Sequence, residues 1–177
     1  SLIGADLYGL NLNESVFHRA NLTGASFENT KLVLSDLSYT DLINTKFLHT
    51  HLAGSNMVRC NIRDSHFKGC LMYGVNLSNS LIDKSIFDYM SLQCSHIRDI
   101  NLFNTQFILC MLQGSVFDNS RIYNTYFDNV YIGGTSFVNI NYKYHNENMT
   151  YNNTIIFNNI HHDNSVINIS KINKIYH

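Results

Sequence analysis

The chain has 177 residues, 45% of them hydrophobic and only 14% charged, with a formal net charge of −1 at pH 7. This is the composition of a folded single domain rather than a disordered chain, and the charge balance excludes a strongly basic nucleic-acid binder. No run of about 18 apolar residues occurs, and Ser1 to Asp6 do not form a basic leader ahead of an apolar stretch, so neither a membrane span nor a signal peptide is expected.

From Leu2 to Phe137 an apolar residue stands at every fifth position, twenty-eight in succession, beginning Leu2, Leu7, Leu12, Phe17, Leu22 and Phe27. The repeat is already in phase at Leu2, from which we expect the native gene product to extend upstream. Two residues before each of these centres the side chain is mostly small: Ala5, Ser15, Ala20, Ala25, Thr30, Ser35, Thr40 and onward. Between the two, Asp or Asn recurs, as in Ala5-Asp6-Leu7, Ala20-Asn21-Leu22, Thr40-Asp41-Leu42 and Cys60-Asn61-Ile62. Three of the four cysteines, Cys60, Cys70 and Cys110, occupy the small position, where a thiol is a compact filler. No C-x2-C pair is present to argue for zinc.

A longer period of twenty is superimposed on the fivefold one. Every fourth centre gives Leu7, Phe27, Phe47, Phe67, Phe87, Phe107 and Phe127, preceded by the small residues Ala5, Ala25, Thr45, Ser65, Ser85, Thr105 and Thr125. Wide rings are thus matched with narrow neighbours in each layer. Gly54, Gly74, Gly114 and Gly134 form a second column, which predicts a corner with a repeated need for a residue without Cβ. Asn21, Asp41, Asn61, Asn101 and Asn141 form a third, read as an amide ladder.

The pattern fails over residues 143–154, a polar run with Glu147 and Asn152 where apolar centres are due, and this reads as a loop. The phase returns at Phe157, twenty residues after Phe137, so 155–177 is expected to form an irregular coil stacked on the last regular one, or a cap.

With its A(D/N)LXX signature the chain resembles the pentapeptide-repeat family, across residues 2 to about 142. The resemblance implies an all-β solenoid: a right-handed quadrilateral β-helix of about seven regular 20-residue coils plus an irregular C-terminal coil or cap. At about 4.8 Å per coil that is a rod roughly 34 Å long. The domain limits are then 1–142 for the repeat β-helix, 143–154 for the loop and 155–177 for the terminal coil.

Chemistry-bearing motifs are scarce. There is no phosphate-binding loop, G-x-G-x-x-G, H-E-x-x-H or G-x-S-x-G. His49 and His51 flank a predicted corner and read as surface residues. No catalytic, cofactor-binding or metal-binding residue is assigned, no cofactor is expected, and a side-chain-filled rod has no cleft to hold one. Function must lie on the outer surface, where Ile86, Tyr89, Ile108, Leu109, Met111, Tyr126 and Tyr131 gather around one edge as a candidate interface. Phe103 with Tyr123 is a second, smaller candidate on another face.

The expected role is therefore a non-catalytic protein interaction or scaffold module. Its partner is another protein or other domains of its own chain, with no nucleic acid. The resemblance also implies possible settings: the repeat domain of a secreted bacterial effector, acting in the cytoplasm or delivered to a host cell, or a partner-positioning domain of an enzyme catalytic elsewhere. Relatives that mimic DNA and bind gyrase need a dense acidic surface. Here 11 acidic residues are mixed with 9 basic ones within 1–142, which disfavours that reading.

Overall fold

Apolar residues five apart share one interior only if the chain turns between them, and the backbone shows where it does. Every position ending in 4 or 9, from Gly4 to Asn139, has φ between +47° and +72°. These are left-handed corners, tolerated best by Gly and Asn. The computed structural model describes residues 1–141 and 155–158.

Between corners the chain extends and pairs in parallel with the residue twenty further on, from Asp6 with Ser26 to Arg121 with Asn141. Four corners per twenty-residue rise give the solenoid four sides. On two of them the pairing lengthens into strands: β1 (Lys46–Leu48), β2 (Asn61–Arg63), β3 (His66–Lys68), β4 (Leu81–Asp83) and β5 (Ile86–Asp88). They continue as β6 (Asn101–Phe103), β7 (Gln106–Ile108), β8 (Arg121–Tyr123), β9 (Thr125–Asp128) and β10 (Ile155–Asn158). One parallel sheet runs β1-β3-β5-β7-β9-β10 and the other β2-β4-β6-β8. The remaining two sides pair through single bridges, such as Leu71 with Ser91 and Met111 with Tyr131.

The backbone donors of one repeat are fully committed. Asn76 N donates back one turn to Ser55 O (3.1 Å), while Leu77 N and Asn79 N donate forward to His96 O (2.8 Å) and Arg98 O (3.0 Å). Ser78 N donates to Asn76 Oδ1 (3.1 Å) and Ser80 N closes the corner on Leu77 O (3.2 Å). Each of the five positions of this repeat uses its N–H, so a residue lacking one would break a hydrogen bond at any of them.

The interior is built on a phenylalanine spine. Phe27, Phe47, Phe67, Phe87, Phe107 and Phe127 stack with ring centroids 4.5–4.9 Å apart and planes within 11° of parallel, each at most 2% exposed. Where the opposite side also carries phenylalanine, as at Phe117 and Phe137, the rings meet the spine edge-on at 5.9–6.2 Å. Both geometries are favourable for aromatic quadrupoles. At the N-terminal end of the rod Leu7, Leu12 and Phe17 are only half-buried.

The small positions do more than fill space. Ser35 Oγ donates to Leu12 O (2.9 Å), Ser80 Oγ to Met57 O (2.9 Å) and Thr135 Oγ1 to Leu112 O (2.7 Å), each reaching back 23 residues. Cys60, Cys70 and Cys110 do the same with Sγ, onto Leu37 O, Phe47 O and Phe87 O at 3.0–3.2 Å. The thiols are therefore buried donors, beyond the filler role expected of them.

Burial pushes Cys60 and Cys70 up to about 11 and Cys110 to about 12. In the unfolded chain thiols release their protons near pH 8.5, whereas the native state still holds them, so stability is full below that pH and falls as pH rises toward 11. Urea midpoints at pH 8 and pH 10.5 should show this loss, and a Cys60→Ser/Cys70→Ser/Cys110→Ser variant should lose less. In the native state a maleimide should label only the exposed Cys94.

Two expectations need correction. The C-terminal strand β10 pairs Phe157 with Phe127 and Ile155 with Thr125, thirty residues apart, rather than placing Phe157 over Phe137. The polar stretch lacks apolar residues at 147 and 152, so the sheet resumes only at the next apolar cluster, ten residues late. The rest of the predicted loop and terminal coil lies outside the described residues. The amide ladder, second, is interrupted: Asn61 Nδ2 donates to Asp41 Oδ1 (3.1 Å), but Leu81 pairs next in that column. Amide rungs also occur at the corners, from Asn124 Nδ2 to Asn104 Oδ1 (2.8 Å) and from Asn139 Nδ2 to Asn119 Oδ1 (3.1 Å). Their signal in the sequence was asparagine recurring at twenty-residue spacing in corner positions.

Candidate functional site

The candidate edge is assembled by a single corner and the two sides that meet there. Tyr89 and Leu109 are the corner residues themselves, at φ 54° and 52° in successive turns. Ile86 and Tyr126 stand on the strand side, separated by Gln106, which pairs with both. Ile108 is half-buried in β7 and lies in register between Asp88 and Asp128. Met111 and Tyr131 pair with each other in successive turns on the side beyond the corner. The exposed members are 37–59% accessible, so the structure brings the seven together with polar residues interleaved.

The sequence reading stopped short of the whole surface. Leu71, 37% exposed, lies in the column that follows His51 and continues through Ser91 to Met111 and Tyr131, and Tyr73 beside it is 55% exposed. This side continues through Gln93 and Gln113 to a corner of Gly74, Cys94, Gly114 and Gly134. The outward positions among 71–74, 91–94, 111–114 and 131–134 carry no Asp, Glu, Lys or Arg. Gln93 Nε2 reaches Met111 Sδ at 3.2 Å and ties two turns of this neutral face together.

Bulky residues in the left-handed region cost roughly 1–2 kcal/mol each. Tyr89 and Leu109 hold that conformation while leaving their side chains in water, where they add no core packing. The same conformation recurs at every corner, Leu34 and Tyr39 included, so it belongs to the fold; Tyr89 and Leu109 stand apart as large apolar groups exposed in successive turns of one corner.

The smaller candidate fails on burial. Phe103 and Tyr123 do stack, with centroids 5.4 Å apart and planes at 17°, but Tyr123 is 8% exposed and Phe103 half-buried. The pair is packing, not a presented surface. His49 lies over the corner of the next turn: a Cβ on Gly69 would sit 2.6 Å from His49 Nδ1. The absent side chain of Gly69 gives the imidazole its place, and His51 is exposed on the adjacent side. Among the described residues no group of three or more His, Cys, Asp or Glu could hold a metal ion.

The corner period, the twenty-residue register and the buried centre at each fifth position match a sequence family. A model of the pentapeptide repeat region covers residues 41–117, and a model of pentapeptide repeats in eight copies covers 1–38. The chain belongs to the pentapeptide-repeat family. Solved pentapeptide-repeat structures are similar to it at low identity. Full-length QnrB1, a plasmid-mediated fluoroquinolone resistance protein, is 17% identical with a TM-score of 0.49, over 90% of this chain and 94% of its own. HetL, involved in heterocyst differentiation regulation in the cyanobacterium Nostoc sp. strain PCC 7120, is 13% identical with a TM-score of 0.45, over 90% and 73%. A pentapeptide repeat protein of the Arabidopsis thaliana thylakoid lumen is 20% identical with a TM-score of 0.42, over 57% and 67%. No curated protein sequence matches the chain. Within the described part of this pentapeptide-repeat chain no helix is long and apolar enough to cross a membrane.

Proposed function

We propose that this pentapeptide-repeat chain is a non-catalytic protein interaction module: a right-handed rod of about seven coils closed by an irregular C-terminal coil. Its binding surface is the edge formed by Ile86, Tyr89, Ile108, Leu109, Met111, Tyr126 and Tyr131, with the neutral face beside it. The observation that carries this reading is the pair Tyr89 and Leu109, two large apolar side chains exposed in successive turns of one corner beside a face without charge. Aromatic and Met side chains are the types enriched at interface centres, and charged residues are the types depleted there. Acidic and basic residues stay interspersed over the rod, so DNA mimicry receives no support from the arrangement of charge.

A surface selected for binding and one selected for packing respond oppositely to the same change. Tyr89→Asn with Leu109→Asn places a residue that tolerates left-handed φ at both corners and removes the apolar groups. The double variant is expected to match or exceed the parent in thermal stability, while losing the cross-linked partners the parent captures from extracts of its source cells. A drop in stability with an unchanged capture profile would assign the edge to packing.

A further inference from the structure

The corner diagonally opposite the apolar edge carries a different chemistry. In three successive turns it holds Arg19, Tyr39 and Arg59, at φ 59°, 60° and 58°, all exposed. Arg19 Cζ lies 5.5 Å and Arg59 Cζ 5.4 Å from the centre of the Tyr39 ring, and Arg59 Nη1 donates to Tyr39 Oη at 3.0 Å. His18 meets the same ring edge-on at 5.3 Å, with its Nδ1 2.8 Å from Ser38 Oγ.

Among the described residues neither guanidinium is in an ion pair. The acids of this corner are engaged elsewhere. Asp36 accepts from Ser38 N (3.0 Å) and Asn56 Nδ2 (3.1 Å) and lies 3.9 Å from His18, while Asp41 accepts from Asn61 Nδ2. Hydrogen bonds from Ser38, with the His18 charge and Asn56 in support, outweigh burial and hold Asp36 below the usual carboxylate range. Two arginines are thus fixed on one aromatic platform, Arg59 giving one Nη1 N–H to Tyr39 Oη and neither guanidinium engaged by a carboxylate among the described residues.

We propose that Arg19, Tyr39 and Arg59 form a docking point for an acidic protein segment, whose carboxylates take the remaining N–H groups of the two guanidiniums. The fork of a guanidinium matches a carboxylate in bidentate geometry. Contact with Tyr39 has already removed much of the side-chain freedom that an arginine loses on binding. The arginines are two turns apart, about 10 Å along the rod, so one small anion does not span them and a chain of spaced acids does. Duplex nucleic acid calls for a longer run of cations, whereas this corner has Asp36 and Asp41 beside it and the whole chain is at −1. Because the apolar edge faces the other way, the rod can hold two protein segments at once.

Fluorescence anisotropy on the purified full chain tests this with a labelled peptide of Glu pairs separated by Gly, its Gln counterpart and a 20-base-pair DNA duplex. The parent is expected to bind the Glu peptide at least tenfold more tightly than the Gln peptide or the duplex. Arg19→Gln/Arg59→Gln should abolish that preference. Arg19→Lys/Arg59→Lys, which keeps the charge but not the fork, should weaken binding at least fivefold. All these side chains are exposed, so circular dichroism melts should be unchanged. Lys variants binding like the parent, or duplex DNA binding more tightly than the Glu peptide, would overturn the proposal. The Tyr89→Asn/Leu109→Asn variant should bind the Glu peptide like the parent, so failure at one surface leaves the other separately tested.

Discussion

Phe67→Ala is expected to destabilise the rod by about 3–5 kcal/mol, read as a lower urea midpoint with little change in slope. Phe67 is fully buried, and its ring is stacked on both faces, against Phe47 at 4.5 Å and Phe87 at 4.8 Å. Removing it takes one layer out of a column whose neighbours are fixed by backbone pairing at both ends: Phe47, Phe67 and Phe87 are Cα partners in β1, β3 and β5. Those strands cannot close the gap without giving up inter-turn hydrogen bonds, so the cavity persists and the cost sits at the upper end for such changes. Phe17→Ala makes the internal comparison. Phe17 is half-buried near the end of the rod and meets Phe27 edge-on at 6.4 Å, so its loss should cost less than half as much. Equal effects at the two positions would contradict a spine built by stacking.

Asn79→Pro is expected to cost at least about 3 kcal/mol, and Asn79→Gly close to nothing. Asn79 has φ 63°, and its N–H donates to Arg98 O in the next turn at 3.0 Å. Proline imposes φ near −65° and has no N–H, so it fails both requirements at once, midway along the chain where turns on either side depend on the corner. Glycine meets both. Loss of the cooperative thermal transition in the proline variant, with a parent-like melt for glycine, is the expected pair of results. A proline variant that melts like the parent would mean the corner is not what joins successive turns.

Much of the fold could be read from the chain because a solenoid converts sequence offset into spatial neighbourhood. Phe27, Phe47 and Phe67 stack because each turn consumes twenty residues, so a column of identical residues in the sequence is a column in space. The candidate edge was legible for the same reason: Tyr89 and Leu109, or Met111 and Tyr131, are twenty apart. What escaped the reading depends on directions and distances that spacing does not encode. The 23-residue reach of the small-position hydroxyls and thiols, the burial of Tyr123, and the stacking of Arg19 and Arg59 on Tyr39 all follow from where side chains point once the corners are made.

The sequence by itself determined the period, the buried centres, the small positions and the line of phenylalanines, since each is a local requirement repeated until it becomes architecture. Only the tertiary structure decided which exposed residues form surfaces and where the regular register gives way. Around the rod, positions that look equivalent in the repeat face different neighbours across a corner. At its C-terminal end the pairing of Phe157 with Phe127 was set by which apolar cluster could next reach an open sheet edge. That is a competition between chain segments in space, and a fixed period cannot express it.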